Sequence, residues 1–123
     1  MTIILEPLAS STDVTWHPVC ALADLEPEWG EAALIDGQQI ALYRLWDDSV
    51  RAVSNQDPTT GSFVMARGIV GTRSGRPTIA SPLHKQVYDL ESGECLSHPG
   101  SAISVFDTRI TDGVIEIQLP AAA

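Results

Sequence analysis

Short apolar segments separated by turn residues recur along the chain, and this spacing limits the fold more than any other feature of the sequence. Asp36-Gly37 lies between Ala32–Ile35 and Gln39–Tyr43, and Asp112-Gly113 precedes Val114–Leu119. Asp-Gly supplies the two positive-φ residues that a tight type I′ hairpin turn needs, so both sites predict β-hairpins. The recurring pattern predicts an all-β protein, an antiparallel sandwich or barrel.

The middle of the chain has a different composition. Strands are predicted at Trp16–Ala21 and Val50–Ser54, but from Asn55 to Pro82 the chain is rich in Gly, Thr, Ser, Arg and Pro. This composition predicts a loop-rich subdomain with only brief extended pieces. Long loops in a compact domain are usually functional or inherited from a functional ancestor, so the loops are the place to look for a site.

Length and composition predict one domain. The chain has 123 residues, of which 44% are hydrophobic, an ordinary share for a globular protein. We expect a loosely ordered lead-in over residues 1–13, a single domain over 14–119 and a tail over 120–123. No apolar run approaches the roughly 20 residues that cross a bilayer, and no secretory signal is visible, which predicts a cytoplasmic protein. Cys20 and Cys95 are then expected to be free thiols, although a disulfide between them stays open.

The charge of the chain is unevenly distributed. The formal net charge is −9, which argues against nucleic acid or an anionic membrane as a partner. Between Asp57 and Asp89, however, there is no acidic residue, and this stretch holds four cations: Arg67, Arg73, Arg76 and Lys85. A basic island on an acidic protein is a candidate docking face. Two other interpretations stay open, namely four separately solvated cations and a patch that attracts anionic substrates.

Motifs for independent catalysis are absent from the sequence. It contains no nucleophile elbow, no phosphate-binding loop and no dinucleotide fingerprint. His84 has no Cys, His, Asp or Glu within four residues, and His17 and His98 each have one Cys three residues away but no third Cys or His nearby. No catalytic residue and no metal site is therefore predicted from spacing.

Two segments resemble the cluster-binding boxes of Rieske proteins. Asn55–Gly61 (NQDPTTG) is similar to the first box, Asn-x-Cys-Pro-His-x-Gly. Ser81–His84 (SPLH) is similar to the second, Cys-Pro-x-His, and the aromatic-Asp-Leu and Ser-Gly pieces that follow it in that family are also present. The resemblance covers most of the chain, roughly Thr15 to Leu119, and implies a Rieske-type fold.

The positions that would bind the cluster are substituted. Rieske clusters use two Cys thiolates and two His imidazoles. The matching positions are Asp57, Thr59, Ser81 and His84, so that only one imidazole is retained. Oxygen ligands hold an iron–sulfide cluster poorly, so we expect no cofactor in this chain. We expect Asp57 and Ser81 to stabilise the loops by hydrogen bonds instead, and an ion shared by Asp57 and His84 is a weaker alternative.

Within this group, the chain resembles the small subunits of assimilatory NAD(P)H nitrite reductases. The resemblance implies a large catalytic subunit that bears sirohaem, a 4Fe–4S cluster and FAD and reduces nitrite to ammonia, with this chain as a non-catalytic subunit. The basic residues would then dock on the large subunit. Two alternatives stay open: a Rieske-type ferredoxin that carries electrons on a 2Fe–2S cluster, and a stand-alone β-sandwich binding module.

Overall fold

Both Asp-Gly sites form the tight hairpin turns that the sequence predicts. In the computed structural model, which describes residues 2–5, 15–83 and 85–119, Asp36 and Gly37 have φ values of 52° and 80°. Asp112-Gly113 has nearly the same geometry, with φ values of 51° and 79°. A third turn of this kind, Ser74-Gly75 (φ 54° and 78°), lies where the sequence predicts mainly loops. The middle of the chain therefore contains a regular hairpin.

The described residues form eleven strands in three sheets, with two single turns of 3-10 helix at Leu22–Asp24 and Met65–Arg67. The strands are β1 (Thr2–Leu5), β2 (Thr15–Ala21), β3 (Gly30–Ile35), β4 (Gln38–Arg44), β5 (Val50–Ser54), β6 (Ile69–Arg73), β7 (Arg76–Ala80), β8 (Val87–Asp89), β9 (Val105–Phe106), β10 (Thr108–Thr111) and β11 (Val114–Leu119). Sheet A has the order β1-β3-β4-β5-β9, sheet B the order β10-β11-β2, and sheet C the order β6-β7-β8. The all-β, Rieske-type prediction is confirmed.

Sheet A lies between the other two sheets, which explains the sequence of its central strand. Ile40 and Leu42 of β4 pack with Ile115 and Ile117 of sheet B. The alternate residues of β4 point to the opposite face, where Tyr43 packs with Ile79 and other residues of sheet C. Successive side chains of a strand point to opposite faces. Because both faces of β4 are covered, its apolar residues form a continuous run.

The first described strand falls in the predicted lead-in. Thr2–Leu5 pairs in parallel with β3, with Thr2 opposite Ala32 and Leu5 opposite Ile35. This pairing satisfies backbone groups on the edge of β3, so this part of the lead-in belongs to sheet A rather than to a loose segment. Residues 6–14 and 120–123 lie outside the described residues, and the predicted domain division stays a prediction.

The two cysteines are free thiols, as expected. Cys95 is buried in the core between sheets A and C, and Cys20 is half-buried. Burial raises the pKa of the Cys20 thiol, and the carboxylates of Asp24 and Glu31 raise it further, so this thiol keeps its proton at neutral pH. Across the described ranges, no helix is long and apolar enough to cross a membrane.

Candidate functional site: two substituted loops

The first loop is anchored to sheet A by Asn55. This side chain is buried; its Nδ2 donates to Gln39 Oε1 at 3.1 Å, and its Oδ1 accepts from the backbone N–H of Ala66 at 2.8 Å. Asn55 therefore joins the start of β4 to the 3-10 turn that follows the loop. The loop then closes on itself, since the N–H of Gly61 donates to the backbone oxygen of Asp57 at 2.8 Å.

A direct hydrogen bond joins the two loops at the two positions that the resemblance matches to Rieske thiolates. Asp57 is 0% exposed, and its Oδ2 accepts from Ser81 Oγ at 2.5 Å. Its Oδ1 accepts from the backbone N–H of Thr59 at 2.8 Å, which forms an Asx-turn at the start of the loop. Hydrogen bonds to a carboxylate are among the stronger ones in proteins. A carboxylate and a hydroxyl thus connect two segments that an iron atom would connect in a Rieske protein.

The second loop is a closed turn centred on Ser81. The backbone N–H of Ser81 donates to Gln86 at 2.9 Å, and its backbone oxygen accepts from Lys85 at 3.0 Å. Ser81 Oγ also accepts from the N–H of Leu83 at 3.3 Å. Ser81 therefore caps its own turn and contacts Asp57 with the same hydroxyl. His84 lies outside the described residues, so its predicted role stays a prediction.

Thr59 forms a second contact between the loops. Its hydroxyl donates to Gln86 Oε1 and lies 3.4 Å from the hydroxyl of Tyr88. The Tyr88 hydroxyl also donates to Gln86 Oε1, at 3.2 Å. Burial raises the pKa of the Tyr88 phenol, so it keeps the proton that this hydrogen bond uses. Thr59, Gln86 and Tyr88 therefore form a hydrogen-bonded group at a former imidazole position.

The residues at these positions do not fit an iron–sulfur cluster. Asp57, Thr59 and Ser81 offer oxygen atoms, and these atoms already make hydrogen bonds within the first loop or between the two loops. Iron–sulfide clusters are held by thiolates and imidazoles. In the part of the chain that the structure describes, no three or more His, Cys, Asp or Glu side chains are grouped as a metal site. The arrangement is suited to holding two loops in place.

The structure separates the four cations that the sequence analysis groups beside the loops. In the β6–β7 hairpin, Ile69 is opposite Ala80 and Arg73 is opposite Arg76. Arg73 and Arg76 therefore flank the Ser74-Gly75 turn, at the end of the hairpin away from Ser81. Arg67 lies two residues before β6, at the opposite end of the hairpin from its turn. Lys85 lies in the second loop, where its backbone N–H donates to Ser81. The ends of β6 are about 13 Å apart at the usual rise per residue, so Arg67 lies at one end of this strand and Arg73 with Arg76 at the other.

Their partners also differ. Arg76 is paired with two acidic residues, since its Nε lies 2.8 Å from Asp89 Oδ2 and its Nη2 lies 3.7 Å from Glu91 Oε2. Arg73 makes a long contact of 3.5 Å to a backbone oxygen. Arg67 and Lys85 are exposed and have no ion pair or hydrogen bond from their side chains to any described residue. Sequence proximity did not reveal that the charge of Arg76 is already balanced.

Gln86 and Tyr88 are the site residues that the sequence analysis missed. Both lie just after the second box, and Tyr88 is the aromatic residue of its aromatic-Asp-Leu piece. A single glutamine just before a strand matches no sequence motif. Only the fold reveals that Gln86 Oε1 accepts hydrogen bonds from the hydroxyl groups of Thr59 and Tyr88.

Comparison with known proteins places this geometry in a family. The family model described as a Rieske-like [2Fe-2S] domain matches residues 15–118. The nitrite reductase (NADH) small subunit of Escherichia coli K12 is 35% identical over 104 residues, which are 84% of this chain and 96% of that protein. A 100-residue segment of the nitrite reductase [NAD(P)H] large subunit of Klebsiella oxytoca is 30% identical and covers 81% of this chain but only 10% of that protein.

A solved structure agrees with these sequence relatives. The crystal structure of a Mycobacterium tuberculosis protein assigned as an NADH-dependent nitrite reductase small subunit has a TM-score of 0.85 and 43% identity, and the match covers 89% of this chain and 98% of that one. The family model, the sequence relatives and the fold therefore agree, and the chain belongs to the Rieske-like family of nitrite reductase small subunits.

Proposed function

We propose that this chain is the small subunit of an NAD(P)H-dependent nitrite reductase and that it acts as a non-catalytic subunit, by binding the large subunit. The observation that carries this proposal is the identity to nitrite reductase small subunits along nearly the whole domain. The oxygen donors at Asp57, Thr59 and Ser81 support a role without an iron–sulfur cluster, because their hydrogen bonds hold the loops where a cluster would.

The relative from Klebsiella supports a large subunit as the partner. There, a segment similar to this chain occurs within a polypeptide that is named as the large subunit. Two domains that are fused in one organism and separate in another commonly work in contact. We propose that the partner of this chain carries sirohaem, a 4Fe–4S cluster and FAD, and that the complex reduces nitrite to ammonia in the assimilation of nitrogen.

We place the complex in the cytoplasm. NAD(P)H is supplied there, and the free thiols of Cys20 and Cys95 suit a reducing compartment.

The two other functions considered from the sequence receive less support. A ferredoxin with a 2Fe–2S cluster needs soft ligands, whereas the three described ligand positions present oxygen atoms: Ser81 Oγ donates to Asp57, and the Thr59 hydroxyl donates to Gln86. A stand-alone binding module does not account for the identity to subunits of one enzyme.

Co-expression with the large subunit encoded in the same genome tests the proposal. We expect the two chains to co-purify, and NAD(P)H-dependent nitrite reduction to be higher in the complex than in the large subunit alone. A chain that stays monomeric and does not bind the large subunit contradicts the proposed function. Iron analysis of the separated chain distinguishes the ferredoxin alternative, which requires a bound cluster.

A further inference from the structure

The outer edge of sheet C presents backbone groups that have no partner among the described residues. Of the described strands, β6 pairs only with β7, and Arg73 and Arg76 flank its two-residue turn. In such a hairpin the flanking pair exchanges hydrogen bonds, and every second pair along the ladder does the same. The N–H and C=O groups of Val70 and Thr72 therefore point away from β7, and no backbone hydrogen bond joins them to another described residue.

Next to this edge lies an apolar groove. Trp29 is 66% exposed and Ile69 is 73% exposed, and both line a cavity of about 580 Å³ whose lining also includes Gly30, Arg67 and the acidic residues Glu28 and Glu31. The floor of the groove is tightly packed, because a Cβ atom at Gly30 would lie 2.0 Å from the backbone oxygen of Ala66. Exposed apolar side chains around a formed groove are typical of interaction sites.

The charges at this edge indicate the chemistry of what binds there. Arg67 precedes the strand and Arg73 ends it, and the chain from residue 58 to residue 88 contains no acidic residue. A strand added to β6 would therefore meet a cation at each end and an apolar side chain at Ile69. An extended segment with acidic side chains on both sides of an apolar one is complementary to this edge.

We propose that the outer edge of β6 binds an extended segment of the large subunit, which adds a strand to sheet C and places acidic side chains beside Arg67 and Arg73 and an apolar side chain beside Ile69. An open strand edge is a template for such an addition, in which backbone hydrogen bonds give affinity and side-chain pockets give specificity. This inference rests on the proposed function and deepens it by naming the surface. It moves the docking site from the four-cation patch of the sequence analysis to the β6 edge.

A second copy of the chain is a poorer occupant of this edge. Two β6 strands paired antiparallel would bring Arg67 of one copy close to Arg73 of the other, and like charges that face each other across strands are destabilising. The large subunit is therefore the better match.

The test measures the affinity of purified large subunit for the full chain and its variants by biolayer interferometry. Thr72→Pro removes an outward N–H and leaves the β6–β7 ladder intact, since Thr72 does not bond its partner Pro77. Ile69→Ser removes the exposed apolar side chain. We expect each change to raise the Kd by about tenfold, which corresponds to roughly 1.4 kcal/mol.

Ile110 provides matched controls. Ile110 lies on the edge strand β10 and is 41% exposed. It lies two residues before the Asp112-Gly113 turn, just as Thr72 lies two residues before the Ser74-Gly75 turn. Ile110→Pro and Ile110→Ser should leave the Kd within twofold of wild type. Circular dichroism and thermal unfolding verify that each variant is folded. If Thr72→Pro does not fold, the affinity is measured instead for Arg67→Glu, a substitution of an exposed residue.

The possible outcomes separate the two claims. If the wild-type chain does not bind the large subunit, the proposed function fails. If the wild-type chain binds but the β6 variants bind equally well, or no worse than the Ile110 variants, the β6 surface is wrong while the proposed function stands. A wild-type dimer that Thr72→Pro abolishes also overturns the proposal, because it assigns the edge to a second copy.

Discussion

Replacing Asp57 by alanine should remove much of the stability of the loops. Asp57 accepts hydrogen bonds from Ser81 Oγ and from the backbone N–H of Thr59, at 2.5 Å and 2.8 Å, and is 0% exposed. A hydrogen bond to a charged group contributes about 1.5–3 kcal/mol, and the hydroxyl of the buried Ser81 would lose its acceptor. We therefore expect Asp57→Ala to lower the free energy of unfolding by about 3–5 kcal/mol, a large part of the roughly 5–15 kcal/mol of a typical domain.

Two variants control this experiment. Asp57→Asn retains an acceptor for Thr59 and an amide that can donate to Ser81, so it should lose only about 1 kcal/mol. Asp47 accepts the same two kinds of donor, the backbone N–H and the Oγ of Ser49 at 3.0 Å and 2.6 Å, but is exposed. Water can take the place of the Asp47 carboxylate as acceptor for these two donors. Asp47→Ala should therefore lower the free energy of unfolding much less than Asp57→Ala.

Equilibrium unfolding in urea, followed by tryptophan fluorescence, measures these differences at constant m-value. If Asp57→Ala is no less stable than Asp47→Ala, the contact between the two loops contributes nothing to stability, and the hydrogen bonds do not replace the metal as the link between them.

Three further changes have defined outcomes. Gly93→Ala should lower the free energy of unfolding by at least about 3 kcal/mol, since the φ of Gly93 is 80° and the new Cβ would lie 2.2 Å from a backbone oxygen. Gly113 has a φ of 79° and open space around it, so Gly113→Ala should cost only about 1 kcal/mol. Equal losses for the two variants in urea unfolding would contradict this. A hydrogen bond from Arg109 lowers the pKa of Glu116 in the folded protein. The ionised Glu116 therefore stabilises the fold above the ordinary pKa of 4.5, and this stabilisation is lost as the pH falls through the lower folded pKa. Glu116→Gln should therefore be less stable than wild type at pH 7, with a difference that shrinks in acid; a difference independent of pH would refute the assignment. Tyr43→Phe removes the hydroxyl that donates to the backbone oxygen of Met65 and should cost about 1–2 kcal/mol in the same urea assay, whereas an unchanged midpoint would contradict that role.

The sequence predicts those parts of the fold that depend on local signals. Asp36-Gly37 and Asp112-Gly113 adopt the positive φ values that their turn type requires, and the strands predicted at Ala32–Ile35, Gln39–Tyr43 and Val114–Leu119 are present. Polar and apolar residues alternate over Val114–Leu119, and Ile115, Ile117 and Leu119 are buried. In each case the residue type itself selects the backbone conformation or the buried face.

Contacts between distant segments could not be predicted in this way. The composition of residues 55–82 indicates loops, but Ser74-Gly75 tolerates positive φ as Asp-Gly does, and the hairpin it closes covers sheet A. The ion pairs of Arg76 depend on the pairing of β7 with β8, which no local pattern specifies. The sequence therefore groups Arg76 with the other three cations and does not show that its side chain is ion-paired.

The substituted loops are an intermediate case. The resemblance to the Rieske boxes identified Asp57 and Ser81 as replacements for thiolates, and the structure brings them into direct contact. The contribution of Gln86 was not visible, because its partner Thr59 lies in the other loop, 27 residues away.

Iron and acid-labile sulfide per chain, measured on protein purified without oxygen and after chemical reconstitution, test the central claim most directly. The triple variant Asp57→Cys, Thr59→His, Ser81→Cys serves as positive control, because together with His84 it restores two thiolates and two imidazoles. We expect no stoichiometric iron or sulfide in the wild-type chain and a bound cluster in the variant. Two irons and two sulfides per wild-type chain, with the spectrum of a mixed thiolate–imidazole centre, would contradict the account.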